Sequence, residues 1–109
     1  MQWMDLVSYL FGGAFLANAI PHVVSGLMGR SFQSPFAKPR GEGHSSSTVN
    51  VLWGFLNVAI GYLLVLRVGN FDPRSTADIV ALGLGALLIG LFLARRFGQF
   101  NGGNSPGDG

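Results

Sequence analysis

Three stretches without a charged side chain, residues 6–28, 49–66 and 79–94, dominate this 109-residue chain, and arginine follows each of them. A hydrocarbon core about 30 Å thick takes roughly 17 to 25 residues of helix, so the first two runs are long enough to cross it. The third covers only about 24 Å at about 1.5 Å per residue and needs its flanks. Asp78 and Arg95 can hold their charges at the headgroups while Phe97 extends the apolar surface. None of the runs shows the charged side of a soluble amphipathic helix. The expected fold is all-α: an integral membrane protein of three transmembrane helices, with spans at 6–28, 49–66 and 77–95. They form one domain over 1–97, with a loop at 30–48 and a flexible tail at 98–109.

Several function classes are disfavoured by the same composition. Charged residues make up only 11% of the chain and the formal net charge is +2, which supplies no basic stripe for nucleic acid. Cysteine is absent and the only histidines are His22 and His44, so no metal or cofactor is expected. No span carries an interior carboxylate, and Ser8 and Ser25 lack acid–base partners. No catalytic residue is therefore expected. The first residues lack the positive region of a secretory signal, so the first span is expected to remain in the mature protein. Arg30, Lys38, Arg40, Arg95 and Arg96 fall on one side of the membrane, and Arg67 and Arg74 on the other. The positive-inside rule then places the first loop and the C-terminus in the cytoplasm and the N-terminus outside.

Polar and small residues within the spans fall into stripes. At about 100° per residue, Asn18, His22, Ser25 and Gly29 share an arc of about 60° on span 1, and Asn50, Gly54, Asn57 and Gly61 share a similar arc on span 2. Gly83, Ala86, Gly90 and Ala94 form a small-residue stripe on span 3. Lipid tails provide no hydrophobic push between helices, so these faces are expected to make the helix contacts. The asparagines should point inward, where their amides find partners. Pro21 lacks an amide proton and crowds the Ala17 carbonyl, so span 1 is expected to kink there.

The first loop interleaves Phe32 and Phe36 with Arg30, Lys38 and Arg40, a composition suited to the cytoplasmic membrane interface. Its prolines, glycines and serines oppose regular structure, although Ser34-Pro35-Phe36 could fold back as a short cap beneath His22 and Asn50. Any of Ser45, Ser46, Ser47 and Thr48 could cap span 2, and Ser75-Thr76-Ala77-Asp78 reads as a capping box opening span 3.

At Asn18-Ala19-Ile20-Pro21-His22, Ser34-Pro35-Phe36-Ala37 and Asn50-Val51-Leu52-Trp53-Gly54, the chain resembles a group of small bacterial inner-membrane proteins. The resemblance covers the first two spans and their loop. It implies a bacterial plasma-membrane setting and brings no activity with it. The residues favour an assembly role, as a homo-oligomer or as a subunit beside another membrane protein, with the lipid bilayer as the constant partner. Two alternatives stand beside it. In one, His22, Asn18, Asn50 and Asn57 line a pathway for a small solute. In the other, the protein binds a lipid or hydrophobic molecule through a lateral opening beside Pro21, lined by Phe11, Phe15 or Trp53.

Overall fold

The computed structural model describes residues 2–105 and Gly107; Met1 and, within the expected tail, Pro106, Asp108 and Gly109 lie outside the described residues. The chain runs α1 (Gln2–Leu27), β1 (Phe32–Gln33), β2 (His44–Ser45), α2 (Ser47–Tyr62), a π-helical turn (Leu63–Val68) and α3 (Thr76–Asn101). Three helical segments, Trp3–Leu27, Ser47–Val68 and Thr76–Asn101, are long and apolar enough to cross a membrane. The protein is thus a mainly helical, multi-pass membrane protein by the length and composition of its helices, with one two-stranded hairpin.

Local chemistry sets the ends of these helices. α1 continues without interruption through Pro21 and stops at a left-handed Gly29 (φ 73°). There Arg30 N–H reaches back to the Ser25 carbonyl and Gly29 N–H to the Gly26 carbonyl, a paired closure that satisfies two terminal carbonyls. Ser46, among the four hydroxyls available, caps α2 by accepting from Val49 N–H at 3.2 Å. Ser75 caps α3 by accepting from Asp78 N–H at 3.2 Å. The Asp78 carboxylate departs from a reciprocal box: it accepts from Asp72 N–H at 2.9 Å and so ties the preceding turn to the helix.

α3 is longer than its uncharged run. It has 26 residues, about 39 Å of helix at about 1.5 Å each, and ends at a left-handed Gly102 (φ 84°). Residues 98–101, expected in the flexible tail, are therefore helical. Beyond them Asn104 folds back, its side-chain amide donating to the Arg95 carbonyl at 2.9 Å over the buried Gly98. The arginines at 95 and 96 do not end the helix, because Phe97 and Phe100 continue its apolar face and Arg96 lies over the Phe100 ring at 5.3 Å.

α1 is the shared spine: α2 and α3 both pack on it and scarcely meet each other. Close approach is made by glycines. A Cβ on Gly54 would overlap Val23, and one on Gly61 would meet Leu16, while Gly12 and Gly26 of α1 leave room for Val65 and Val51. Towards α3, Gly13 lies against the Leu82 carbonyl and Gly85 against the Leu10 carbonyl. The adjacent pair Gly12-Gly13 lets one turn of α1 approach two helices at once, since neighbouring helical residues point about 100° apart.

The small-residue stripe expected on span 3 is not the face that packs. Gly83 and Gly90 have no atom within 4 Å of an added Cβ and Ala94 is exposed; Ala86 alone of the four touches α1, its amide near Gly13. Several registers of small residues exist on α3, and complementarity with the Leu10 and Leu82 backbone selects the one through Gly85. At the end of α2, the Ser8 hydroxyl donates to the Leu64 carbonyl in the π-helical turn. The Tyr9 ring packs under Gly69 and edge-on to Phe71, 5.1 Å between centroids, and anchors the turn that follows.

Candidate functional site

The loop between α1 and α2 is a folded cap. Its two short strands pair antiparallel, Phe32 with Ser45 and Gln33 with His44, and the Ser34 and Ser45 hydroxyls bond each other beneath them. Ser34 also accepts from Phe36 N–H at 3.1 Å through its side chain and from Gly41 N–H at 2.8 Å through its carbonyl. Proline and glycine oppose longer strands, and the Ser34 hydroxyl takes the Phe36 N–H in place of a strand partner. The C-terminal end of α3 docks on the same cap. Arg96 donates to the Gly41 carbonyl at 3.3 Å, and Asn101 to the Gln33 side-chain oxygen at 3.4 Å.

Asn50 joins the cap to the helices. It is fully buried, and its amide nitrogen lies within 3.2 Å of the Phe32, Ser45 and Ser46 carbonyls. All three partners are acceptors, which fixes the amide nitrogen towards them and turns Oδ1 towards His22 Nδ1 at 2.7 Å. His22 therefore donates from Nδ1, and its Nε2 is left as an acceptor. That nitrogen has no protein partner among the described residues. His22 is 2% exposed, and the rings of Phe32, Trp53 and Phe97 stand edge-on around it at 5.7, 6.3 and 6.1 Å.

One turn below, Asn18 donates to Asn57 Oδ1 at 2.9 Å, and Asn57 donates to the Trp53 carbonyl of its own helix at 2.8 Å. Asn50, Gly54, Asn57 and Gly61 are the buried residues of α2, and all face α1. Ser25 is half-buried, and its side chain joins none of these polar contacts among the described residues. Replacing Asn57 by leucine leaves the Asn18 amide without its acceptor and should cost about 1 kcal/mol. A double-mutant cycle with Asn18→Leu, followed by unfolding in detergent, should return a coupling of similar size. Additive losses would mean that the two amides do not interact.

Because α2 and α3 diverge from their common spine, a crevice of about 310 Å³ remains between them under the cap. Asn18 and His22 form its floor, Trp53 one wall, Leu93 and Phe97 the other, and Arg40 and Arg96 its capped end. Phe92 lines it and is 60% exposed, so the crevice reaches the outer surface of the bundle. Trp53 Nε1 is buried without a hydrogen-bond partner. Across the Leu93–Phe97 ridge, a second groove of about 380 Å³ runs beside Pro21 between α1 and α3, lined by Ala17, Ile20, Phe32 and Gly90. Phe11 and Phe15, expected beside such an opening, line neither cavity.

Of the loop residues expected at the interface, Lys38 and Arg40 are exposed and Phe36 is exposed on one side while packing on Trp53 at 5.2 Å. Phe32 turns inward instead, 4.7 Å from Phe97, because its carbonyl is held by Asn50. Leu93 is not singled out by the sequence, and Phe97 and Arg96 read there only as the end of span 3 and as a topology charge, not as lining of a site. Their signal was the apolar continuation of α3 past its arginines. No cluster of three or more metal-ligating His, Cys, Asp or Glu side chains occurs among the described residues. No family model, curated protein or solved structure matches the chain.

Proposed function

We propose that this protein binds a lipid-like or hydrophobic molecule, taken laterally from the bilayer into the crevice between α2 and α3. The observation that carries this reading is the crevice itself, aromatic-walled and open at Phe92. Phe92, Leu93, Phe97 and Trp53 give it a mainly apolar lining, with Asn18 and His22 at its base. The polar groups support packing over conduction: Asn18 and Asn57 bond each other, and Asn50 is saturated by His22 and the cap.

Leu93 lines both grooves, so Leu93→Trp should fill them. Native mass spectrometry of gently extracted protein is expected to find a hydrophobic adduct on the wild type, and to find it lost or much reduced on Leu93→Trp. A wild type free of adduct, or an adduct indifferent to this substitution, would contradict the reading.

A second reading, self-association in the membrane, draws on the uncovered side of α3, where Gly83 lies open and Gly90 and Ala94 border the groove beside Pro21. Gly83→Leu with Gly90→Leu should abolish any dimer while changing monomer stability by less than about 0.5 kcal/mol. Analytical ultracentrifugation in detergent and thermal unfolding check both halves. In either reading the setting is a bacterial plasma membrane with cap and C-terminus cytoplasmic. The five basic residues Arg30, Lys38, Arg40, Arg95 and Arg96 at that end support this orientation.

A further inference from the structure

Resting on that binding function, we propose that the site takes an anionic phospholipid, with one acyl chain in the crevice and its phosphodiester in a basic basin at the cap end of α3. The basin, about 490 Å³, is lined by Phe92, Arg95, Arg96, Gln99 and Asn104. Positions 92, 95, 96 and 99 recur at helical spacing, so they share one face of α3. Phe92 and Arg96 also line the crevice, which makes basin and crevice two parts of one groove. One part is mainly apolar and the other basic, the order in which a phospholipid presents chain and head.

Arg96 stands at the junction. It donates to the Gly41 carbonyl at 3.3 Å and lies over the Phe100 ring at 5.3 Å, contacts that hold the guanidinium without neutralising it. Arg95 is exposed beside it, and Arg40 lines the crevice from the cap. A phosphodiester carries two non-bridging oxygens, which match the paired N–H groups of a guanidinium. Phe92 lies about 6 Å before Arg96 along the helix axis. A phosphate at the arginines therefore brings the first methylenes of a chain level with Phe92 and the crevice mouth. The second chain has the exposed Leu88 and Phe92 to lie along, among the lipid tails.

The head must also be net negative. Among the described residues no carboxylate lines either cavity: Glu42 is exposed on the cap, and Asp5, Asp72 and Asp78 gather at the other end of the bundle. A choline or ethanolamine cation would face arginine with no anion to pair it, whereas a glycerol head meets the amides of Gln99 and Asn104. The carbonyls at a helix C-terminus disfavour an anion, and the tail offsets that effect here. Asn104 donates to the Gly98 carbonyl from its backbone at 3.4 Å and to the Arg95 carbonyl from its side chain at 2.9 Å.

Native mass spectrometry reads the head directly. Protein released from micelles holding equal amounts of chain-matched phosphatidylglycerol and phosphatidylcholine should retain the first about tenfold more often than the second. Arg96→Gln can loosen the cap, so the decisive variant is Arg95→Gln, at an exposed position whose side chain has no polar contact among the described residues. It should lower the ratio about fivefold, with the cap as resistant to proteolysis as in the wild type. Arg30→Gln with Lys38→Gln removes two charges from the same end of the bundle at positions that line neither cavity, and should leave the ratio within about twofold. A ratio indifferent to Arg95→Gln, or one that falls as far in the Arg30 and Lys38 variant, overturns the basin as the head site. Equal retention of both lipids, with both lost in Leu93→Trp, overturns the anionic head and leaves hydrophobic-molecule binding standing. Displacement of the lipid by millimolar glycerol phosphate would make the basin a site for soluble phosphate esters and overturn the lipid as its ligand. No lipid on the wild type, or phosphatidylglycerol retained undiminished by Leu93→Trp, overturns both.

Discussion

Replacing Gly85 by leucine is expected to part α1 from α3 and destabilise the bundle by about 3 kcal/mol or more. A side chain there meets the Leu10 backbone, its carbonyl first, and no rotamer of a neighbour can relieve that overlap. The helices must separate, and a membrane bundle has little besides close packing to resist separation. Gly13→Leu should do the same from the opposite side, against Leu82. Gly83→Leu is the internal control: two residues away, it points where no atom lies within 4 Å. Denaturant unfolding in mixed micelles, followed by helical circular dichroism, should therefore give two strongly destabilised variants and one close to wild type. Similar stability for Gly85→Leu and Gly83→Leu would mean that α3 is rotated about its axis from the position described.

Asn50→Leu should be as damaging by a different route, with an expected loss of about 2 to 4 kcal/mol. The substitution strands His22 Nδ1–H and withdraws the donor shared by the Phe32, Ser45 and Ser46 carbonyls. The cost divides between two structures: α1 loses its polar tie to α2, and the cap loses its attachment to the helices. Limited proteolysis should consequently cut the 34–43 segment early in Asn50→Leu, whereas Gly85→Leu leaves Asn50 and its partners in place. A resistant cap in Asn50→Leu would show that the hairpin holds itself by Ser34 and Ser45 alone.

The legible part of this fold followed from rules that depend on one helix at a time. Absence of charge over a helix-length run identifies a span, and the polar stripe of α2 identified the residues that face α1, because an amide in lipid has no other recourse. Asn18, His22 and Asn50 were visible for that reason. What could not be read is which helix answers which. Gly83 and Gly85 are equally small, and only the position of the Leu10 carbonyl distinguishes them. Phe32 resembled a lipid-facing anchor because its partner, the Asn50 amide, lies 18 positions along the chain. The extension of α3 to Asn101 was hidden for a related reason: two arginines look like a membrane boundary, and a helix can cross that boundary when Gly41 and Phe100 receive one of them.

The crevice was the least accessible feature. It arises from a gap, the divergence of α2 and α3 from a common spine, and no residue type announces a gap. Its chemistry nevertheless depends on one local fact, the tautomer of His22. Nitrogen-15 NMR of histidine-labelled protein in bilayers reads that fact directly, with His44→Gln removing the other imidazole. The structure predicts a single neutral form for ligand-free His22, protonated at Nδ1 and coupled to Asn50, with Nε2 bare. A proton on Nε2, or the averaged tautomers of a free imidazole, would contradict the account of how this site is built.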